Sequence, residues 1–87
     1  MRRYRATPDA VFAEVAGGGV VLHTGTKRYY SLNQTGARIW ALLESTKDPG
    51  NTAAVVAAEY KISAIEAQQA VDDLVKDFLQ AGLLAEE

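Results

Sequence analysis

The sequence predicts an α+β domain in which a three-stranded antiparallel sheet is followed by three helices. Three observations carry this expectation. The first third of the chain holds runs of β-branched and aromatic residues separated by glycine-containing turns. From about residue 35 onward, apolar residues recur at helical spacing. Polar capping residues and helix breakers then divide that helical stretch into three.

The elements follow in order. Residues 1–9 read as an irregular, mobile lead-in ending in Thr7-Pro8-Asp9. Ala10 to Val15 has strand composition, and Ala16 to Gly19 reads as a turn because successive glycines permit positive φ without steric cost. Val20 to Thr24 is a second strand, and Gly25-Thr26 opens another tight turn. Residues 27–32, Lys-Arg-Tyr-Tyr-Ser-Leu, form a third. Two short connections between three such runs argue for a meander, which needs a partner on one face to be stable. Asn33 can cap a first helix running from about Thr35 to Ser45, where Ile39, Leu42 and Leu43 share a face. Thr46 to Asn51 reads as a break around Pro49-Gly50. A second helix is expected over about Thr52 to Tyr60, capped by Asn51 or Thr52. Ser63 and Glu66 form a capping box for a third helix that continues to about Ala81. Gly82 is its natural stop, Leu83-Leu84 packs back on the core, and residues 85–87 fray. The second and third helices, with their short connection, resemble a helix-turn-helix, so the whole is winged-helix-like with its sheet placed first.

Composition narrows the function classes. The 87 residues make a single domain, 1–87, with ordinary hydrophobic content and a formal net charge of −2, which argues against a generally basic nucleic-acid binder. There is no cysteine, hence no disulfide, thiol nucleophile or thiolate metal site. No apolar run reaches the roughly 20 residues that span a bilayer, and the basic start is not followed by a signal-like apolar segment. A cytoplasmic protein without membrane contact is expected. Charge is unevenly spread: residues 1–43 carry Arg2, Arg3, Arg5, Lys27, Arg28 and Arg38 against Asp9 and Glu14, whereas residues 44–87 carry three lysines against nine carboxylates. Two readings stand: solvated faces, or a polarised surface that steers a charged partner.

Catalytic chemistry is hard to assemble from this inventory. His23 is the only histidine and falls in a strand. Asp72, Asp73 and Asp77 lie on one helix, but Asp72 diverges from the other two, so a solvated face explains them better than a cation site. Gly17-Gly18-Gly19 joins two strands and lacks a phosphate-loop lysine. No cofactor is expected and the chain is not expected to be an enzyme. A DNA-binding role would present the third helix to phosphates, yet that helix carries Glu66, Asp72, Asp73 and Asp77 against Lys76. Peptide capture fits better. If the first strand leaves the outer edge of the third uncovered, its N–H and C=O groups can pair with an extended peptide. The third helix supplies an apolar arc broader than one seam: 67, 71, 74 and 78 form a stripe that 75 and 79 widen. Leu74 and Phe78 read as core, and Val71, Val75 and Leu79 as groove margin. Tyr29 and Tyr30 point to opposite sheet faces.

The pattern Tyr29-Tyr30-x-Leu32-Asn33-x-Thr35-Gly36-x-x-Ile39-Trp40-x-Leu42-Leu43 resembles the signature of PqqD-like proteins, small peptide-binding modules also called RiPP recognition elements. The resemblance implies that the leader of a ribosomally made precursor peptide adds as a strand along the third strand and lies against the third helix. Lys27, Arg28, Tyr29, Tyr30, Ser31 and Leu32 would then be the platform, and Val71, Asp72, Val75, Phe78 and Leu79 the opposite wall. Asp72 matches an acidic position of the family. The Tyr-Tyr-Ser-Leu-Asn opening, the alanine-rich second helix and the Asp-Asp-Leu-Val run look most like standalone leader-binding partners of lasso-peptide pathways. Such a protein delivers the leader to a separate leader peptidase and a cyclase. The alternatives are a PqqD-type chaperone presenting a precursor to a radical-SAM enzyme, and, from another class, a winged-helix DNA-binding regulator.

Overall fold

The structure is a computed structural model in which residues 3–87 are described. Eight elements follow one another: β1 Tyr4–Ala6, β2 Ala10–Val15, β3 Gly18–His23, β4 Arg28–Asn33, α1 Gln34–Thr46, α2 Pro49–Tyr60, α3 Ala64–Gln80 and β5 Leu84–Glu86. Strands β2, β3 and β4 form the expected antiparallel meander, in that spatial order, and the three helices follow it. The register aligns Phe12, Val21 and Tyr30 across the sheet, with Gly19 opposite Leu32. These rows face the helices, and Val21 is completely buried.

The first helix starts where the sequence suggests. Asn33 has extended backbone, and its side-chain oxygen accepts a hydrogen bond from the Gly36 N–H at 2.7 Å. That bond satisfies one of the free donors of the first turn and turns β4 directly into α1. Ile39, Trp40, Leu42 and Leu43 then point into the core. The Trp40 ring stacks on Phe12 of the sheet (centroids 6.4 Å apart) and meets Phe78 of α3 edge-on at 5.0 Å. Its indole N–H is buried and finds no acceptor among the described residues.

Several boundaries differ from expectation. Gly18 and Gly19 belong to β3 rather than to the turn, because the inter-strand packing leaves no room for side chains there. A Cβ at Gly18 would collide with the Leu32 carbonyl oxygen, and one at Gly19 would strike the Phe12 ring. Helix α2 begins at Pro49, three residues before the expected start. Asp48 is its cap, accepting from the N–H groups of Gly50 and Asn51. Proline at the first helical position loses nothing, since its missing N–H would have had no partner. Ser63 caps α3 through the Glu66 N–H at 3.1 Å, while its hydroxyl donates to the Glu66 carboxylate at 3.2 Å. Gly82, at φ +76°, ends the helix region and lets Leu83 and Leu84 fold back into the core.

The termini require a correction. Residues 1 and 2 lie outside the described residues, but Tyr4–Ala6 is a strand rather than an irregular lead-in. It pairs antiparallel with β5, which occupies most of the segment expected to fray. Tyr4 is buried, the Thr7 N–H donates to the Leu83 carbonyl, and the Thr7 hydroxyl donates to the Gly82 carbonyl at 2.8 Å. Tertiary burial of Tyr4, Leu83 and Leu84 holds this pair, and three-residue strands carry too little pattern to announce themselves.

Two substitutions test this account. Asn33→Ala removes the cap between β4 and α1 and lowers stability by about 1 kcal/mol. Gly18→Ala forces β3 away from the β4 backbone and costs about 1–3 kcal/mol. Urea unfolding of each variant against the parent measures both losses.

Candidate functional site

Strand β4 has only β3 as a neighbour. Among the described residues nothing pairs with its other edge, which therefore presents main-chain N–H and C=O groups to solvent. Side chains alternate along it. Tyr30 and Leu32 turn inward and pack against the core, whereas Tyr29 is 70% exposed on the far sheet face, opposite Leu22. The two tyrosines are thereby assigned to their faces. Arg28 and Ser31 are exposed. Lys27 is not part of the strand. It sits at φ 64° and closes the preceding turn, donating its N–H to the His23 carbonyl at 2.8 Å.

Helix α3 buries a stripe of Ala67, Val71, Val75 and Phe78 and leaves a shoulder on each side. One shoulder faces β4. There Leu74, Asp77, Phe78, Gln80 and Ala81 join Tyr30, Ser31 and Leu32 around an open hollow of about 450 Å³. The other shoulder faces away: Asp72, Val75, Lys76, Leu79 and Gln80 line a larger hollow of about 720 Å³ with Tyr4, Asp48, Pro49 and Gly50. The larger one touches β1 alone among the strands. Its one strand residue, Tyr4, already donates its N–H to the Lys47 carbonyl at 3.0 Å.

This arrangement rearranges the α3 residues selected from sequence. Phe78 lines the β4 hollow, but Val71 is 0% exposed and belongs to the core. Asp72, Val75 and Leu79 lie on the opposite shoulder, and Asp72 accepts a hydrogen bond from Gln68 at 2.8 Å. Leu74, expected as core, is only half-buried and faces β4. Gln80 and Ala81 were not singled out, and Asp77 was weighed only as a cation ligand or as a charge facing phosphates, not as groove lining. Both shoulders carry apolar residues at helical spacing, so periodicity alone had no means of choosing between them. The one available signal was that Leu74 and Ala81 lie seven residues apart, on one face of the helix.

A further hollow, of about 440 Å³, flanks the β2 edge between the β2–β3 hairpin and α1, with Arg38 and Tyr60 in its lining. Arg38 grips Glu59 through two hydrogen bonds of 2.9 and 2.6 Å. The Arg38 hydrogen bond and charge hold the Glu59 carboxyl below the usual carboxylate range and raise the Arg38 guanidinium in return. This exposed pair ties α1 to α2. What it lends to stability is present at neutral pH and is lost as pH falls through the lowered Glu59 value.

Comparison with known proteins bears on this geometry. No curated protein matches the sequence. Two solved structures do match. One is TbiB1 in complex with the TbiA(beta) leader peptide, 29% identical, with a TM-score of 0.85 over 92% of this chain and 93% of that one. The other is lasso peptide synthetase B1 complexed with the leader peptide, 25% identical, with a TM-score of 0.86 over 95% and 98%. The family model for coenzyme PQQ synthesis protein D matches residues 18–84, from the first residue of β3 to the first of β5. The chain belongs to the PqqD family.

Proposed function

We propose that the protein binds the leader segment of a ribosomally synthesised precursor peptide by strand addition to β4, with the inward-facing leader side chains seated against α3. The observation that carries this is the free β4 edge lying directly beside an apolar hollow. Main-chain pairing supplies affinity with little demand on sequence, and the hollow supplies selection. Both matched structures hold leader peptides and cover nearly the whole chain, which supports the reading. On this proposal the platform is Arg28 to Leu32, and the opposite wall is Leu74, Asp77, Phe78 and Ala81.

The protein acts as a non-catalytic carrier in this reading. It delivers the bound leader, in the cytoplasm, to a separate leader peptidase and then to a cyclase of lasso-peptide maturation. The match to lasso peptide synthetase B1 favours this over presentation to a radical-SAM enzyme. A DNA-binding role is disfavoured by α3, where Glu66, Asp72, Asp73 and Asp77 outnumber Lys76. No helix among the described residues is long and apolar enough to cross a membrane.

A synthetic leader peptide of a lasso-type precursor, labelled with a fluorophore, tests the assignment by fluorescence polarisation. Micromolar or tighter binding is expected, falling far less steeply with salt than a nucleic-acid complex would. Single N-methylation along the peptide backbone should weaken binding at every second residue, because only alternate N–H groups reach β4. Loss at every position, or at none, would exclude strand addition. Leu74→Arg should weaken binding by about tenfold or more, while Leu79→Arg on the other shoulder should leave it within about twofold. The reverse order would move the groove to the larger hollow.

A further inference from the structure

The groove between β4 and α3 carries a single carboxylate, Asp77, amid mostly apolar lining. Asp77 is exposed, and its side chain meets no donor among the described residues. Of the other acids of α3, Glu66 takes the Ser63 hydroxyl and Asp72 takes the Gln68 amide, while Asp73 is exposed and lies outside the lining of this hollow. Asp77 also stands in the last turn of α3, which contains no basic residue. The dipole of the helix adds negative potential at its C-terminal end. The α3 wall of the groove is thus negatively charged, with no basic residue in its own last turn.

The orientation of the groove follows from its ends. The Gly82 backbone lies against the His23 imidazole, to which a Cβ would come within 3.2 Å, and His23 stands opposite Arg28. The Ala81 end of α3 therefore sits at the start of β4, and the Leu74 end lies toward Leu32. Arg28 shares the inward side of β4 with Tyr30 and Leu32 and puts a positive charge at the Ala81 end. Asp77 lies between the two ends. From Leu74 to Ala81 the helix rises about 10 Å, which an extended peptide covers in about three residues. Since alternate side chains turn outward, the groove has room for two inward side chains, at i and i+2.

We propose that Asp77 is the specificity-determining residue of this groove, selecting a lysine or arginine at one of the two inward peptide positions, the other being apolar. The inference rests on the strand-addition reading and adds a side-chain rule to it. The cation reaches Asp77 along the peptide's own aliphatic stem, which covers Leu74 and Phe78. The apolar partner at i±2 fills the space between Tyr30 and Ala81. A cation at the Ala81 end would instead face Arg28 and be rejected.

A displayed library of random short peptides, selected in parallel on the parent protein and on Asp77→Lys, tests this rule. Peptides from the parent should carry an apolar residue and, two positions away, lysine or arginine. Those from Asp77→Lys should keep the apolar residue and exchange the basic one for aspartate or glutamate. For the best parental peptide, Asp77→Asn should weaken binding about three- to tenfold. That loss should vanish when the peptide's basic residue is replaced by norleucine. Selected peptides with the same charge preference on both proteins would overturn the proposal. If those peptides still showed alternating sensitivity to N-methylation, strand addition would stand without the Asp77 rule. Peptides lacking that alternation, or no enrichment on either protein, would count against both.

Discussion

The position of α3 relative to the sheet depends on Trp40. Its ring is held between Phe12 of β2 and Phe78 of α3, so the width of one indole sets how far the helix stands from the strands. Burying so large an aromatic contributes several kcal/mol by area. That outweighs the roughly 1–3 kcal/mol cost of leaving its N–H without an acceptor. A smaller residue would let α3 settle onto the sheet and close the space beside β4. Phe78 is common to the two situations, contacting Trp40 on one side and flooring the hollow on the other. The core and the groove are thus built from the same side chains.

Much of this was legible in the sequence, and the failures have physical causes. The meander and its turns were readable because β-branched runs and glycines are local signals. Asn33 and Ser63 were recognisable as caps because their role needs only a side-chain oxygen next to an amphipathic run. Asp48 was missed because Pro49-Gly50 reads as a break, although proline is equally at home at the start of a helix. β1 and β5 were missed because their pairing joins opposite ends of the chain. In the candidate site, the third strand could be read as a platform only on the condition that the first strand left its outer edge uncovered, a condition that the β2-β3-β4 order meets. The wall on α3 could not. Leu74 and Leu79 are equivalent in a periodicity plot, and only the presence of Tyr4 and the Asp48–Gly50 segment beside one shoulder assigns the other to β4.

The uneven charge of the chain also acquires a location. Its basic half includes β4 and its acidic half includes α3, so the groove brings the two halves together. Arg28, at the start of β4, and Asp77, in the α3 wall, are one representative of each half. A peptide lying there experiences a field across its width as well as a choice of apolar contacts. Polarity of that kind discriminates between the two directions in which a strand can add, which main-chain pairing alone does poorly.

The pairing of β1 with β5 has a consequence for how the domain assembles and opens. It joins segments from the two ends of the chain, so its closure carries the entropy of ordering nearly the entire polypeptide between them. Contacts of such range form after the meander and the α2–α3 pair have condensed. The clasp is short and lies at the chain ends, so it is also the first part to come undone. Tyr4, which walls the larger hollow, leaves with it. The β4–α3 groove uses no residue of either terminal strand, so a molecule with its ends open keeps the groove proposed to hold the peptide. Hydrogen exchange in the terminal strands therefore runs ahead of exchange in β3 and β4, as in a domain whose seam is looser than its working surface.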